Sequence, residues 1–222
     1  MCGRFTFNGN LKDIERTFFI TDITCELSSS YNVAPANEVL AVIRYEGNNK
    51  LGKLHWGLVP SWAKDLSTSG KLINARIETV AEKPSFKNAF KKRRCLILSD
   101  GFYEWQKTEK TKQPWYFRLP SGNPFGFAGL WEVWKSSEGQ KYSSCTILTT
   151  LASESVKHVH DRMPVILQPD TISDWLNPNS HDVSQLKEIL NDGKVENLTG
   201  YTVTNKMNSP SFKDPSCIEP LE

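Results

Sequence analysis

The chemistry that this sequence could perform begins at its second residue, a cysteine. Methionine aminopeptidases remove Met1 when a small residue follows it, so the processed chain would begin with an α-amine and a thiol on adjacent carbons of Cys2. The reference pKa is about 7.7–8.0 for the amine and about 8.5 for the thiol, so a fraction of each group is nucleophilic at pH 7. The position therefore offers two nucleophiles on one residue. The alternative is a cysteine that follows the initiator by chance.

Two further segments carry groups that suit proton transfer. Glu104 stands between aromatic residues in Gly-Phe-Tyr-Glu-Trp, residues 101–105, where loss of solvent would raise the pKa of the carboxyl group. His160 follows His158 at a spacing of two, which fits either a pair of metal ligands or one catalytic imidazole beside a polar loop. An exposed strand glutamate and a structural histidine are the competing interpretations. Because the chain has four histidines and no compact ligand set, the sequence predicts no metal site.

Several polar and aromatic residues have the spacing of substrate contacts. Asn74 and Arg76 are two residues apart and would share one face of an extended segment. An amide beside a guanidinium suits an oxygen-rich substrate such as a sugar phosphate, although a loop with a turn-forming asparagine explains the same residues. Arg4 is two residues from Cys2 and must lie near any chemistry there. Trp62, in a segment with Gly and Pro, could present its ring to a nucleic-acid base or pack in the core.

Composition is that of a soluble globular protein and points to no single partner. The 222 residues are 38% hydrophobic, 11% aromatic and 23% charged, and the net charge is +2, so the overall charge predicts no polyanion partner. The segment 87–94 holds five cations, which suits either nucleic acid or a helix C-terminus. The five cysteines are dispersed without a C-x-x-C pair, which predicts neither disulfides nor zinc. With no apolar run of membrane-spanning length and no signal peptide, we expect a cytoplasmic protein.

The elements that must position these residues are mostly short strands. β-branched and aromatic runs predict strands at 39–45, 94–99, 115–119, 125–134, 143–150 and 164–167. The predicted helices run from an Asn10 cap to about Phe19, through Phe86 and Phe90, over 153–159 with Ser153 as cap, and over 184–191 with Ser184 as cap. This pattern predicts the α+β class: a single β-rich domain over residues 1–222, with a tail from about residue 209 that lies over the surface.

Six motifs occur along the chain in a recognisable order. They are Met-Cys-Gly-Arg at 1–4, Tyr-Asn-Val-Ala-Pro at 31–35, Trp-Gly-Leu-Val-Pro-Ser-Trp at 56–62, Asn-Ala-Arg at 74–76, Asp-Gly-Phe-Tyr-Glu-Trp at 100–105 and His-Asp-Arg-Met-Pro at 160–164. The ordered set, which covers about residues 2–170, resembles the SOS-response-associated peptidase (SRAP) family, whose members crosslink covalently to abasic sites in DNA. Each motif alone is weak, and the order is what makes the resemblance specific.

The resemblance implies a barrel-like core of strands, short peripheral helices and a positively charged groove for single-stranded DNA. The matches to the family's catalytic residues are Cys2 as nucleophile, Asn74, Glu104 and His160. The matches to its DNA-binding residues are Arg4, Trp62, Arg76, Thr149 and Arg162. One departure is Pro84, where relatives often carry a basic residue before Ser-Phe-Lys. We therefore expect one DNA contact of the family to be absent.

The function that the resemblance implies is a DNA-damage sensor that crosslinks to abasic sites in single-stranded DNA. The processed Cys2 would form a thiazolidine with the opened sugar and so shield the lesion. We expect no cofactor, no membrane partner and a monomer, and the family's peptidase label would describe exposure of the N-terminal cysteine. Two alternatives stay open. One is an N-terminal-nucleophile cysteine peptidase or amidohydrolase with His160 as base, and the other is a non-covalent binder of modified DNA bases.

Overall fold

A computed structural model describes residues 2–107, 109 and 111–221. These described residues form thirteen strands and four α-helices, and none of the helices is long and apolar enough to span a bilayer. The strands are β1 (Arg4–Phe7), β2 (Ile20–Ile23), β3 (Ser30–Val33), β4 (Glu38–Tyr45), β5 (Asn48–Trp56), β6 (Asn74–Arg76), β7 (Arg94–Ser99), β8 (Gly101–Lys107), β9 (Lys112–Arg118), β10 (Phe125–Lys135), β11 (Lys141–Leu151), β12 (Arg162–Pro164) and β13 (Thr199–Thr202). The helices are α1 (Leu11–Phe18), α2 (Lys87–Lys92), α3 (Ile172–Leu176) and α4 (Val183–Asp192). The β-rich α+β class is confirmed.

Five strands close into a ring that forms the core. Their order is β11-β10-β7-β4-β5, and β5 pairs in parallel with β11 to complete the ring. Strand β7 is buried along its whole length, because its alternate side chains enter two different clusters. Leu96 and Leu98 pack with the helices, whereas Cys95 and Ile97 pack with aromatic residues of a second sheet, such as Phe102. The predicted barrel-like core is therefore confirmed.

The second sheet brings the N-terminus to strand β8. Its order is β13-β9-β8-β1-β3, and β1 pairs with β8 in antiparallel register, with Arg4 opposite Tyr103. In such a register the residues before Arg4 lie beside those after Tyr103. The pairing therefore directs Cys2 towards Glu104.

Barrel strand β11 gathers a second group of residues at one end. Thr149 is opposite Arg76 of the parallel strand β6 and opposite Pro164 of the antiparallel strand β12. Leu151, two residues further on, is opposite Arg162. The predicted DNA-binding residues of three separate segments thus share one edge of the barrel.

The structure tests the capping residues that the sequence predicts for α1 and α4. Asn10 caps α1, as predicted, and its side chain accepts from the Asp13 backbone N–H. The prediction of Ser184 as the cap of α4 is wrong. Asp182 takes that place, because its carboxylate accepts from the backbone N–H groups of both Ser184 and Gln185.

Two predicted elements after β11 are also different in the structure. Residues 153–159 form hydrogen-bonded turns and not a helix. The Ser155 hydroxyl bonds to the Ser153 hydroxyl and to the Glu196 carbonyl, and such side-chain bonds compete with a helical ladder. The strand predicted at 164–167 lies earlier, at Arg162–Pro164, and residues 166 and 167 make only isolated bridges.

Part of the basic run at 87–94 has a structural role. The buried Arg94 donates to the Lys91 carbonyl at the end of α2 and to the Trp175 carbonyl in α3. Arg93 forms an ion pair with Glu132 of β10. The lysines of the run are exposed, so they remain available to solvent.

The tail from residue 209 is mostly exposed, as predicted, but it is anchored to the second sheet. The side-chain amide of Asn32, in β3, donates to the carbonyls of Met207, Ser209 and Phe212 at 2.8–3.0 Å. Cys217, in the tail's last turn at Pro215–Ile218, is fully buried. The tail therefore covers the outer face of this sheet.

Candidate active site

Cys2 is held in a buried position between β1 and β6. The Asn74 Nδ2 atom donates to the Cys2 carbonyl at 2.8 Å, and the Cys2 thiol lies 3.6 Å from the Arg4 carbonyl. The residue has no exposed surface. Burial raises the pKa of the Cys2 thiol, and the nearby charge of Glu104 raises it further. Asn74 thus contacts the Cys2 carbonyl, and the charge of Glu104 acts on the Cys2 thiol.

Glu104 is a buried carboxyl group on β8. Only 1% of its surface is exposed, and this burial raises its pKa from 4.5 to about 7. The charge of Asp161 acts in the same direction. A carboxyl group with a pKa near neutrality can both donate and accept a proton under working conditions.

His160 follows the turns at 153–159. Its Nδ1 atom accepts from the Arg162 backbone N–H at 2.9 Å. Burial lowers the pKa of His160, and the Asp161 carboxylate, 2.9 Å from Nδ1, opposes this effect without outweighing it. The imidazole is therefore mostly neutral at pH 7 and can accept a proton. His158, in contrast, packs edge-on against Trp115.

Glu104 and His160 line one cleft of about 340 Å³. Its other lining residues are Trp105, Lys107 and Lys112, from the β8–β9 hairpin. The sequence reasoning did not select these three, although Trp105 directly follows Glu104. A larger cavity of about 610 Å³ lies against α3 and α4 and contains none of the predicted site residues.

Two of the three predicted DNA-binding arginines are bound to acceptors of the protein. Arg4 donates to the Asn32 side chain at 2.7 Å and to the Met207 and Asn208 carbonyls, each at 3.1 Å. Its guanidinium therefore joins β1 to the residues that directly precede the tail.

Arg162 is the second arginine bound within the protein. It makes a bidentate ion pair with Glu78, at 2.6 and 3.0 Å, and donates to the Thr149 carbonyl at 2.7 Å. Its side chain is 8% exposed. Arg76, by contrast, is exposed on β6, and Trp62 is 62% exposed in the loop after β5. Arg76 and Trp62 therefore present their side chains directly to solvent.

The described part of the chain contains no set of side chains that could bind a metal ion. No group of three or more His, Cys, Asp or Glu side chains there is placed to hold an ion. The described site therefore consists of a thiol, an amide, a carboxyl group and an imidazole.

The fold and the site define a class: a β-rich barrel protein in which Cys2 lies near a buried carboxyl group that shares a cleft with an imidazole. The family model for SOS response associated peptidase (SRAP) matches residues 1–210. The chain therefore belongs to the SRAP family.

Relatives and solved structures agree with this assignment. The chain is 44% identical over 222 residues to the abasic site processing protein YoqW of Bacillus subtilis (strain 168), with 99% of both chains covered. It is 30% identical over 220 residues to the abasic site processing protein HMCES of Xenopus tropicalis, with 85% of this chain and 65% of the relative covered. The crystal structure of a phage-related protein from Bordetella bronchiseptica matches with a TM-score of 0.74 and 28% identity, over 92% of this chain and 95% of that one.

Proposed function

We propose that this protein processes abasic sites in single-stranded DNA by forming a covalent crosslink through Cys2 after Met1 is removed. The observation that carries the proposal is the convergence of four chemically suited side chains from separate segments. Asn74 is bonded to Cys2, the charge of Glu104 acts on the Cys2 thiol, and Glu104 shares its cleft with His160. The names of the Bacillus subtilis and Xenopus tropicalis relatives, abasic site processing proteins, support the same substrate.

The first step is opening of the sugar. An abasic deoxyribose is mostly a closed hemiacetal, and the reactive aldehyde is its minor form. Glu104, with its pKa raised by burial to about 7, and the neutral His160 can take the proton of the C1′ hydroxyl and return one to the ring oxygen. Proton transfer of this kind contributes about 10²–10⁴-fold to a rate.

The second step joins the protein to the sugar. The Cys2 amine adds to the aldehyde carbon C1′, and loss of one water gives an imine. The Cys2 thiol then adds to the imine carbon, its proton passes to the nitrogen, and a five-membered thiazolidine closes. Because amine and thiol belong to one residue, this closure is intramolecular and has the advantage of proximity. The closed ring protects the imine from hydrolysis and from elimination of the 3′ phosphate.

Asn74 orients the nucleophile in this scheme. Its Nδ2 atom fixes the Cys2 carbonyl. Its Oδ1 atom is buried and has no hydrogen-bond partner within the described part of the chain. A buried acceptor without a partner is costly, and a sugar hydroxyl or the processed Cys2 amine supplies the missing donor.

The proposal is tested by incubating the processed protein with single-stranded DNA that carries one abasic site, followed by a denaturing gel. We expect a heat-stable shifted band from the wild type and none from Cys2→Ala, which lacks the trapping thiol. A normal yield of heat-stable adduct from Cys2→Ala would contradict the thiazolidine. Turnover of amide substrates without a band would favour the hydrolase, and retention of modified bases without a band would favour the non-covalent binder.

A further inference from the structure

The β8–β9 hairpin carries a lysine pair that the steps above do not use. Lys107 is directly opposite Lys112 across the antiparallel strands, and both side chains are exposed. Both also line the cleft that contains Glu104 and His160. Like charges directly opposite each other destabilise a strand pair. The hairpin therefore has an unfavourable charge contact at the mouth of the site.

No acidic residue in the described part of the chain neutralises this lysine pair. Within the described residues neither Lys107 nor Lys112 takes part in an ion pair, whereas Arg93 and Arg162 each pair with a carboxylate. The charge of Lys107 also reaches the site: burial lowers the pKa of His160, and Lys107 lowers it further. Two lysine charges therefore lie at the cleft, together with the carboxyl group of Glu104 and the nearby carboxylate of Asp161.

The arrangement of Lys107, Lys112 and Trp105 suits a ligand that carries both a small anion and an aromatic ring. Opposite residues of an antiparallel pair have Cβ atoms about 4.5–5.5 Å apart, so two lysine side chains can reach one anion together. Trp105 lies on the same face, two residues before Lys107 and about 7 Å away along the strand. Its ring nitrogen is held by the Asn208 side chain at 2.7 Å. An aromatic ring beside a pair of cations is the arrangement with which proteins bind single-stranded nucleic acid.

We propose that Lys107 and Lys112 form a phosphate-binding site that takes one backbone phosphate of the DNA strand at the hairpin side of the cleft. The identity of this ligand rests on the proposed function. The site adds two residues to the predicted DNA contacts, and it gives the unfavourable lysine pair a role.

The test compares two double variants that remove the same charge. Lys107→Gln/Lys112→Gln alters the hairpin, and the control Lys135→Gln/Lys141→Gln alters another exposed pair of opposite lysines, on β10 and β11, that does not line the cleft. The probe is a single-stranded oligonucleotide with a tetrahydrofuran abasic analogue, which has no aldehyde and cannot crosslink. Affinity is measured over a series of salt concentrations. We expect the slope of log affinity against log salt to become shallower by about 0.7 in the hairpin variant, because the pair neutralises one phosphate, and to stay unchanged in the control variant.

An unchanged slope in the hairpin variant, or an equal change in both variants, would overturn the inference, since the second result would mean diffuse attraction. Thermal unfolding separates binding from folding, and we expect the hairpin variant to be at least as stable as the wild type because a repulsive contact is removed.

A wild-type crosslinking gel with a true abasic oligonucleotide separates the two proposals. If the wild type forms no adduct but the hairpin slope changes, the proposed function fails and the phosphate site stands. If the adduct forms and the slope does not change, the phosphate site alone fails.

Discussion

Glu104 acquires its chemistry from the place where its carboxyl group lies. The aromatic residues beside it in the sequence predict desolvation, and the structure buries it to 1% exposure and raises its pKa to about 7. An exposed glutamate would be fully ionised at that pH and could only accept protons. Burial therefore converts an ordinary carboxylate into a group that can both donate and accept.

Replacing Glu104 with glutamine keeps the shape of the side chain and removes its proton transfer. We expect Glu104→Gln to form the adduct about 10²-fold more slowly than the wild type, the usual scale for general acid–base catalysis. Single-turnover crosslinking at saturating abasic DNA measures the rate, and the tetrahydrofuran analogue measures binding, which should change little. Glu138→Gln, in an exposed turn, is the control. A wild-type rate in Glu104→Gln would assign ring opening to another group.

The same burial makes stability depend on pH. Because the folded-state pKa of Glu104 is raised from 4.5 to about 7, the folded state binds the proton more tightly than the unfolded state. The stabilisation of the folded state by this tighter proton binding is complete below pH 4.5 and is lost as the pH rises through 7. We expect the free energy of unfolding of the wild type to fall by about 3 kcal/mol relative to Glu104→Gln across this window. Urea unfolding at several pH values measures the difference, and parallel pH profiles would contradict a buried carboxyl group.

At the scale of elements, the sequence predicts strands where apolar residues dominate and misses those that pairing creates. Strand β7 is found at the predicted residues, 94–99. Strand β5 contains Asn, Lys, Gly and His, so its residues give no strand signal of their own. It forms because its backbone pairs with β4 on one side and with β2 and β11 on the other. Pairings between distant segments, such as β1 with β8, are likewise absent from any local pattern.

Asn32 joins two such distant elements, and its removal should show how much they contribute. Its buried side chain donates to the carbonyls of Met207, Ser209 and Phe212, in the tail and just before it, and accepts from Arg4. We expect Asn32→Ala to lower the free energy of unfolding by about 1–3 kcal/mol, because buried polar groups lose their partners. The tail should also become more sensitive to proteases. Asn123→Ala, at an exposed turn, is the matched control, and equal stability of the two variants would contradict the anchoring role.

At the scale of the whole molecule, the candidate site depends on the fold to bring four separate segments together. The ordered motifs select Cys2, Asn74, Glu104 and His160 as a set, and their catalytic roles stay a prediction. The motifs do not select Lys107 and Lys112, because these two lysines become neighbours only through the register of the β8–β9 hairpin. They also could not reveal which arginines are paired within the protein, since those partners lie far away along the chain. Residue types were thus predictable, whereas their electrostatic surroundings required the fold.

The central claim is that one residue supplies both an amine and a thiol to the abasic sugar, and the state of Met1 tests it most directly. A chain that retains Met1 has an amide nitrogen at Cys2, which is not nucleophilic, although its thiol is unchanged. Two preparations, one beginning with Cys2 and one with Met1, are verified by mass spectrometry and mixed with single-stranded abasic DNA. We expect both to bind the DNA and only the processed chain to give the heat-stable adduct on a denaturing gel. Equal adduct yields from the two preparations would contradict attack by the amine. They would favour a mechanism that uses only the Cys2 thiol, such as that of a cysteine peptidase.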